Sequence, residues 1–345
     1  MSTIRVPPGT AAYLTAGLAV GYAVFHWWVW DCQHRAFPAL RGTYPAVWSM
    51  PSAHRLTLER LWRLLTIPFR RLPDLYIIGA PKSGTSALFT FLAMHPKVKV
   101  PLQKESRFLE GFCGLRLSRF MYRQLFPTRF ECPEGYLTLD GDATAAVMPE
   151  LSSAMYRRMT PNAKIVLLCR EPCDGAFSLY KMRSRIKGRG EHGFSLRDMY
   201  DLEMKLAQSD DWRLMDELAL RVDAGAASVR ITPSMANTVL CSSMLRGFNY
   251  DNVLREFHKR FDPKNVLVLR FKDFAEDTEG TVRRVFTFLG LQADVPLHDL
   301  KTIRPEDIMK IELEKESRTA KLSAEDQELL ERHFQAQQHL SHLWG

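Results

Sequence analysis

Short apolar runs alternate with amphipathic stretches along most of the chain, and this alternation predicts strands that are each followed by a helix. The continuous apolar run at residues 75–78 is typical of a strand buried in a parallel sheet, and further strands are predicted at 98–102, 136–139, 165–169 and 266–270. Helices are predicted at 85–94, 115–125, 148–159, 173–187 and 278–289. The pattern favours an α/β fold with a doubly wound parallel sheet, which binds its ligands at the carboxyl ends of the strands.

A second pattern interrupts the first between residues 191 and 261. This stretch is mainly helical, with residues 210–222 its clearest amphipathic part and a turn-rich break at 224–233. Such a helical insertion predicts a wall or lid beside the ligand site. Residues 323–340 predict one charged amphipathic helix at the end of the chain.

The N-terminal region differs from the rest in its hydropathy. Residues 11–30 contain no Asp, Glu, Lys or Arg, and they end in an aromatic cluster, Trp27-Trp28-Val29-Trp30. About 20 apolar residues span a bilayer as a helix, and tryptophan favours the membrane interface. No small-residue cleavage site follows, so we expect a retained anchor; the alternative is a helix on the membrane surface or in the core. The expected organisation is a short tail (1–10), a transmembrane anchor (11–30), a stem or linker (31–72) and one folded domain (73–345).

Composition and charge restrict the partners. The chain has 345 residues, 46% of them hydrophobic, which suffices for a substantial core, and its net charge of +8 favours anionic partners. No aromatic and basic motif of a nucleic-acid-binding module is present, so a nucleic-acid partner is not expected. The six cysteines are too scattered for a disulfide scaffold or a zinc site. A Cys113–Cys132 bridge in an oxidising compartment and six free thiols are the two alternatives.

The strongest local signal is the sequence Leu-Tyr-Ile-Ile-Gly-Ala-Pro-Lys-Ser-Gly-Thr-Ser at residues 75–86. An apolar strand enters a loop of small and hydroxyl residues, and a helix follows. The N–H groups of such a loop and of the first helical turn bind phosphate or sulfate. Gly79 and Gly84 have the spacing of the ATP-binding P-loop, but Thr85 stands where that loop requires lysine, and Lys82 lies inside the loop instead.

This rearranged loop resembles the 5′-phosphosulfate loop of the sulfotransferases, which transfer a sulfuryl group from 3′-phosphoadenosine-5′-phosphosulfate (PAPS) to an acceptor. Residues 87–96 are similar to the following helix of the carbohydrate branch, typified by the heparan sulfate sulfotransferases. The segment Lys104-Glu105-Ser106-Arg107-Phe108 resembles the Lys-Glu-x-His-Phe segment of that branch, and residues 168–180 resemble its 3′-phosphate segment. With a weaker match at 265–291, the resemblance covers residues 73–291.

The resemblance implies a role for each matched residue. Lys82 would stabilise the charge that develops on the bridging oxygen, or donate a proton to it. Glu105 would be the general base for the acceptor. The residues implied in holding PAPS are Lys82, Ser83, Gly84, Thr85 and Ser86 at the phosphosulfate and Arg170 and Ser178 at the 3′-phosphate. No metal is required. Plainer alternatives are a surface ion pair of Glu105 with Lys104 or Arg107, and an ion pair of Arg170 with Glu171 or Asp174.

Two departures from the family pattern stand out. Arg107 occupies the position where many members have histidine, and we expect it to contact an acidic acceptor. The late basic, glycine-containing loop that closes over PAPS is not recognisable, although Lys315, Arg318 and Lys321 lie in the corresponding region. A basic run from Lys181 to Arg189 fits either a polyanionic glycan or a solvated helix face.

The resemblance also implies a partner and a location. The expected acceptor is the hydroxyl or amine of a glycan, and the expected location is the Golgi membrane, as a single-pass type II protein with a lumenal catalytic domain. The arginines that follow the apolar segment (Arg35, Arg41, Arg55 and Arg60) would favour the opposite, cytosolic orientation by the positive-inside rule. The sequence does not predict the oligomeric state.

Two other functions compete with sulfuryl transfer. Asp140 follows an apolar run, as the Mg²⁺-binding aspartate of a P-loop kinase or nucleotide triphosphatase would, but the displaced lysine argues against such an enzyme. A membrane-tethered glycan-binding protein without catalysis is the other alternative. Loss of the lysine or of the base would indicate it, and Lys82 and Glu105 are both present.

Overall fold

The computed structural model describes residues 63–101, 104–106, 108, 116–184, 195–226, 228–296 and 322–344. Its strands are β1 (Leu75–Ile77), β2 (Val98–Lys99), β3 (Arg116–Ser118), β4 (Leu137–Asp140), β5 (Lys164–Cys169), β6 (Ser228–Arg230) and β7 (Val266–Arg270). Five of them form a central sheet in the order β2-β4-β1-β5-β7, and every neighbouring pair is parallel. The parallel α/β sheet predicted from the sequence is therefore confirmed.

The helices cover the sheet and form the insertion. They are α1 (Thr85–Ala93), α2 (Arg119–Arg123), α3 (Pro149–Met159), α4 (Pro172–Ser184), α5 (Leu196–Leu206), α6 (Asp210–Asp223), α7 (Pro233–Cys241), α8 (Tyr250–His258), α9 (Phe271–Glu276), α10 (Thr278–Phe288) and α11 (Ala324–Phe334). Short 3₁₀ helices occupy Ile67–Phe69, Ala143–Ala146, Arg246–Phe248, Pro263–Asn265 and Gln335–Leu343.

Two apolar cores lie on the two faces of the sheet. One joins α1 and α10 to the sheet, and the other joins α3, α4, α8 and the insertion to it. Strand β5 contributes to both cores because its side chains alternate between the faces, and the five residues from Ile165 to Cys169 are completely buried. Burial on both faces explains why β5 is a continuous apolar run in the sequence.

A small antiparallel sheet was missed by the sequence analysis. Residues 115–125 were predicted as one helix, but β3 and the shorter α2 occupy this stretch, and β6 lies within the predicted break at 224–233. The two strands pair with each other, with Leu117 opposite Val229. The two strands are more than 100 residues apart in the sequence, so local periodicity does not reveal their pairing.

The insertion is fixed to the α/β core by a buried carboxylate. Glu203 on α5 accepts hydrogen bonds of 2.7 Å from the backbone N–H groups of Met244 and Leu245. It also lies 3.7 Å from the guanidinium of Arg183 on α4. Because Gly247, two residues after Leu245, packs against Pro81 of the anion-binding loop, this contact joins the insertion to the loop.

Three further predictions concern the C-terminal helix, the cysteine pair and the membrane anchor. The C-terminal helix was predicted to run to residue 340, but α11 ends at Phe334 and the chain continues as a 3₁₀ helix. Cys132 is a buried free thiol, and Cys113 lies outside the described residues. Among the residues that the structure describes, no helix combines the length and apolarity needed to cross a bilayer. The predicted anchor (11–30) and residues 31–62 of the predicted stem lie outside those residues.

Candidate active site

The anion-binding loop lies at the carboxyl end of β1, where the sequence predicts it. Lys82 has a φ of 60° and Gly84 a φ of +83°, both in the left-handed region. These angles turn the chain sharply into α1, whose N-cap is Gly84. Glycine is needed at position 84 because a Cβ there would lie 3.2 Å from the Phe271 ring. The first N–H groups of α1, which have no acceptor within the helix, therefore face the loop.

Arg170 lies directly beside this loop. It follows β5, the strand next to β1, and its Nη1 donates a 3.0 Å hydrogen bond to the carbonyl oxygen of Lys82. Its guanidinium lies 4.9 Å from the centroid of the Phe271 ring. The ammonium group of Lys82 lies 3.8 Å from the sulfur of Met182 on α4. The structure thus brings together two of the residues implied at the two ends of PAPS.

Ser178 shares a cleft with Arg170. The cleft has a volume of about 1080 Å³, and its walls are α4 and the C-terminal segment that begins near α11. Lys181 and Arg332 add positive charge to it, while the carboxylates of Glu171, Asp174, Glu328 and Glu331 also line it. The cleft is large enough for a nucleotide-sized ligand.

Glu105 lies at the next strand end, beside β4. The Gly141 N–H group donates a 3.0 Å hydrogen bond to the carbonyl oxygen of Lys104, and the Ser106 N–H group donates one of 3.3 Å to Asp140 Oδ1. The side chain of Glu105 is 37% exposed, and its Oε1 accepts a 2.7 Å hydrogen bond from Lys104 Nζ. The ion pair with Lys104 named above as an alternative therefore exists, in a side chain that is partly exposed to solvent.

Glu105 and the loop are neighbours through the residues that follow β4. A Cβ at Gly79 would lie 2.7 Å from Ala146 Cβ, so the start of the loop touches the 3₁₀ helix Ala143–Ala146. The same connection, through Asp140 and Gly141, holds the segment around Glu105. The candidate base and the loop lysine consequently lie at the same edge of the sheet.

Asp140 is unsuited to bind a metal ion in this arrangement. Its carboxylate is completely buried and accepts hydrogen bonds from the Tyr122 hydroxyl and the Ser106 N–H group. Burial, followed by the charge of Asp142, raises the pKa of Asp140 to about 7. Within the described part of the chain, no group of three or more His, Cys, Asp or Glu residues is arranged to hold a metal. These findings remove the main observation that favoured a Mg²⁺-dependent kinase.

Some predicted contacts fall where the structure gives no description. Arg107, the basic residues 185–189 and the late basic residues Lys315, Arg318 and Lys321 lie outside the described residues. Conversely, the sequence analysis missed Phe271, which packs against both Gly84 and Arg170, and Tyr250, whose hydroxyl contacts the backbone of Arg170. The available signal for Phe271 was its position at the carboxyl end of a predicted strand.

Comparisons with known proteins identify the family of this chain. Residues 72–337 match the model of the sulfotransferase domain family. Carbohydrate sulfotransferase 15 of Homo sapiens is 25% identical over an alignment of 269 residues that covers 64% of this chain and 44% of that protein. Heparan sulfate glucosamine 3-O-sulfotransferase 6 of Homo sapiens is 32% identical over 111 residues, which are 32% of this chain and 30% of that protein.

The chain thus spans less than half the length of these two relatives. Among solved structures, a sulfotransferase from Alicyclobacillus acidocaldarius is 20% identical, with a TM-score of 0.46 over 68% of this chain and 88% of that chain. The family match covers most of the chain and includes the loop, Glu105, Arg170 and Ser178. The protein belongs to the sulfotransferase domain family.

Proposed function

We propose that the protein transfers a sulfuryl group from PAPS to a hydroxyl or amine of a carbohydrate. The observation that supports this most is the hydrogen bond between Arg170 and the Lys82 carbonyl. It joins a loop suited to a phosphosulfate to a cation suited to a second phosphate. A nucleotide with phosphate groups at both its 5′ and 3′ positions matches two such neighbouring anion sites.

The chemistry needs few groups from the protein. The acceptor oxygen or nitrogen attacks sulfur, a bond forms between them, and the bond from sulfur to the bridging oxygen breaks. The acceptor proton passes to Glu105, and adenosine 3′,5′-bisphosphate leaves. Lys82 offsets the negative charge that develops on the bridging oxygen, and the loop N–H groups hold the phosphosulfate without reorganisation. No step in this scheme needs a metal ion.

A carbohydrate acceptor is supported by the relatives. The curated proteins that match the chain include a carbohydrate sulfotransferase and a heparan sulfate glucosamine 3-O-sulfotransferase. The exposed part of Glu105 provides a carboxylate that a sugar hydroxyl can reach. Arg107, by its place in the sequence, would contact an acidic group of the acceptor.

The proposal includes a cellular location, the Golgi membrane. The apolar segment 11–30 would anchor the protein in the Golgi membrane, with the domain that follows on the lumenal side. The described chain begins at residue 63 and enters the sheet at the amino end of β1, opposite to the loop. An anchored protein of this geometry would hold its active-site edge on the side of the sheet away from the entering chain.

Replacement of the candidate base tests the mechanism. We expect Glu105→Gln to lower the kcat for sulfuryl transfer from PAPS to a heparan-type oligosaccharide by about a hundredfold or more, because the variant cannot accept the acceptor proton. Its affinity for adenosine 3′,5′-bisphosphate should stay within about twofold of the wild type. Wild-type kcat in Glu105→Gln would contradict the role of Glu105. Absence of transfer from PAPS by the wild-type protein to a panel of glycans would contradict the proposed function.

A further inference from the structure

A single buried hydroxyl satisfies both polar groups of the backbone at Arg170. Tyr250, the first residue of α8, is completely buried. Its hydroxyl accepts a 2.9 Å hydrogen bond from the Arg170 N–H group and donates one of 2.8 Å to the Arg170 carbonyl. A phenol has one donor and two acceptor positions, so these two bonds use it in both senses. They fix the chain at the point where it leaves the sheet.

The same hydroxyl reaches the anion-binding loop. Burial holds the pKa of the Tyr250 phenol well above its usual range, while hydrogen bonds from the Arg170 backbone and the Ser83 side chain act in the opposite direction. Tyr250 is therefore neutral at physiological pH, and it lies against both Ser83 and Arg170. Ser83 is itself completely buried, at the centre of the loop.

The contacts continue from Arg170 to the loop lysine. The Arg170 guanidinium donates to the Lys82 carbonyl, and Lys82 holds a left-handed backbone conformation although it is not glycine. Such a conformation is unfavourable for a side chain larger than hydrogen and persists only where neighbouring contacts fix it. The position of the Arg170 backbone thus decides where its guanidinium meets the loop.

Tyr250 is in turn supported by the C-terminal segment. Gln337 Oε1 accepts a 2.8 Å hydrogen bond from the Tyr250 N–H group, which lies at the first turn of α8 and has no acceptor within that helix. The ring of Trp344 lies 5.5 Å from the ring of Tyr250. The segment that forms one wall of the cleft therefore also holds Tyr250 in place.

We infer that Tyr250 is a positioning residue for the nucleotide: through the backbone of Arg170 it aligns the guanidinium with a 3′-phosphate and fixes the Lys82 peptide beside the 5′ end. Tyr250 itself touches no ligand in this arrangement. The inference rests on the proposed function, because the nucleotide it invokes is adenosine 3′,5′-bisphosphate.

The test compares two nucleotides that differ only in the 3′-phosphate. Affinities of the full chain for adenosine 3′,5′-bisphosphate and adenosine 5′-monophosphate are measured by calorimetry for the wild type, Tyr250→Phe and Tyr76→Phe. Tyr76 is a matched control, because it is also buried and its hydroxyl lies 2.9 Å from Thr160 Oγ1, at the amino end of the sheet. Both variants keep the aromatic ring and lose one buried hydroxyl.

We expect Tyr250→Phe to lower the affinity ratio of bisphosphate to monophosphate about fivefold, the effect of weakening one charge-assisted contact. Tyr76→Phe should leave the ratio unchanged, even though both variants melt at a lower temperature than the wild type. A general loss of stability would not affect one nucleotide more than the other. An unchanged ratio in folded Tyr250→Phe would overturn the inference.

A second variant serves if Tyr250→Phe does not fold. Gln337→Met keeps a side chain of similar length but loses the acceptor for the Tyr250 N–H group, and we expect a shift of the ratio in the same direction, about twofold. An unchanged ratio in Gln337→Met would then overturn the inference. A wild-type protein that binds the two nucleotides equally would instead contradict the proposed function, so the two failures are distinguishable.

Discussion

The two ends of the central sheet contain similar residues and use them differently. At the amino end, Arg71 donates hydrogen bonds to the carbonyl groups of Cys132, Pro133 and Tyr136 and pairs with Asp74 at 2.8 Å. At the carboxyl end, Arg170 makes one hydrogen bond to the loop and otherwise lines a cleft of about 1080 Å³.

The amino end also has a cleft, of about 420 Å³, and Arg70, Arg71, Arg123 and Arg129 line it. The number of cations therefore does not distinguish the two ends. The difference lies in the backbone, because at the carboxyl end a tight loop and the N-terminus of a nine-residue helix are directed at one point. Arginines bound to protein carbonyls stabilise the fold, whereas those beside a converging set of N–H groups can bind an anion.

The largest difference between the ends should appear when a lysine is removed from each. Lys82→Ala is expected to lower the kcat for sulfuryl transfer by about a hundredfold to a thousandfold, because a preorganised charge at the leaving oxygen is lost. Lys164→Ala, at the amino end, removes a lysine that is bound to Asn265 Oδ1 at 2.8 Å, and it should leave kcat unchanged. Steady-state kinetics with PAPS check both. An equal loss of kcat in Lys82→Ala and Lys164→Ala would contradict the distinction between the two ends of the sheet.

A pair of arginine variants sharpens the comparison on binding. Arg170→Met should weaken adenosine 3′,5′-bisphosphate about tenfold to a hundredfold, because a charged hydrogen bond to phosphate contributes about 1.5–3 kcal/mol. Arg71→Met should lower the melting temperature, since it removes a donor to three carbonyl groups and an ion pair with Asp74, while nucleotide affinity is retained. Calorimetry and thermal melts separate the two outcomes. Loss of nucleotide binding in Arg71→Met with the fold intact would show that the amino end participates.

The smallest effect on nucleotide binding is expected for Glu203, a buried carboxyl group whose bonds are to protein groups. Burial raises the pKa of this carboxyl group to about 7, although Arg183 and two N–H donors act in the opposite direction. The folded protein therefore retains a proton that the unfolded chain releases near the usual pKa of 4.5. The free energy of unfolding should therefore fall as the pH rises between those two values, and it should level off above about pH 7.

Glu203→Gln cannot ionise, so its melting temperature should fall less than that of the wild type between about pH 5 and 7. Differential scanning calorimetry at several pH values measures the difference. Nucleotide affinity should not change, because the hydrogen bonds and the ion pair described for Glu203 join it to the N–H groups of Met244 and Leu245 and to Arg183. Parallel pH profiles for the two proteins would mean that Glu203 is ionised throughout.

The sequence was sufficient to predict the parallel sheet and the place of the loop at its edge. Strand β5 is apolar because it is buried on both faces of the sheet, and Gly79 and Gly84 mark the turns of the loop, so both signals are local. The role of Glu105 was an inference from resemblance and stays a prediction. The structure adds that Glu105 pairs with Lys104 and lies beside β4.

What the sequence could not supply depends on contacts between distant residues. Strand β3 pairs with β6 across more than 100 positions, and Tyr250 meets Arg170 across 80. Asp140 resembled a metal ligand in the sequence because it ends an apolar run. In the structure its carboxylate is buried and accepts a hydrogen bond from the Tyr122 hydroxyl, a contact that periodicity does not reveal. The C-terminal helix ends early at Phe334, since the chain must turn to bring Gln337 to Tyr250.

The most direct test of the central claim is a comparison of ligands on the full-length protein. Thermal shifts are measured with adenosine 3′,5′-bisphosphate, ADP and ATP, each with and without Mg²⁺, because a specific ligand stabilises the folded state according to its affinity. Sulfuryl transfer from PAPS predicts the largest stabilisation with the 3′-phosphorylated nucleotide, independent of Mg²⁺. A larger shift with Mg²⁺ and ATP, or equal shifts with all three nucleotides, would contradict it.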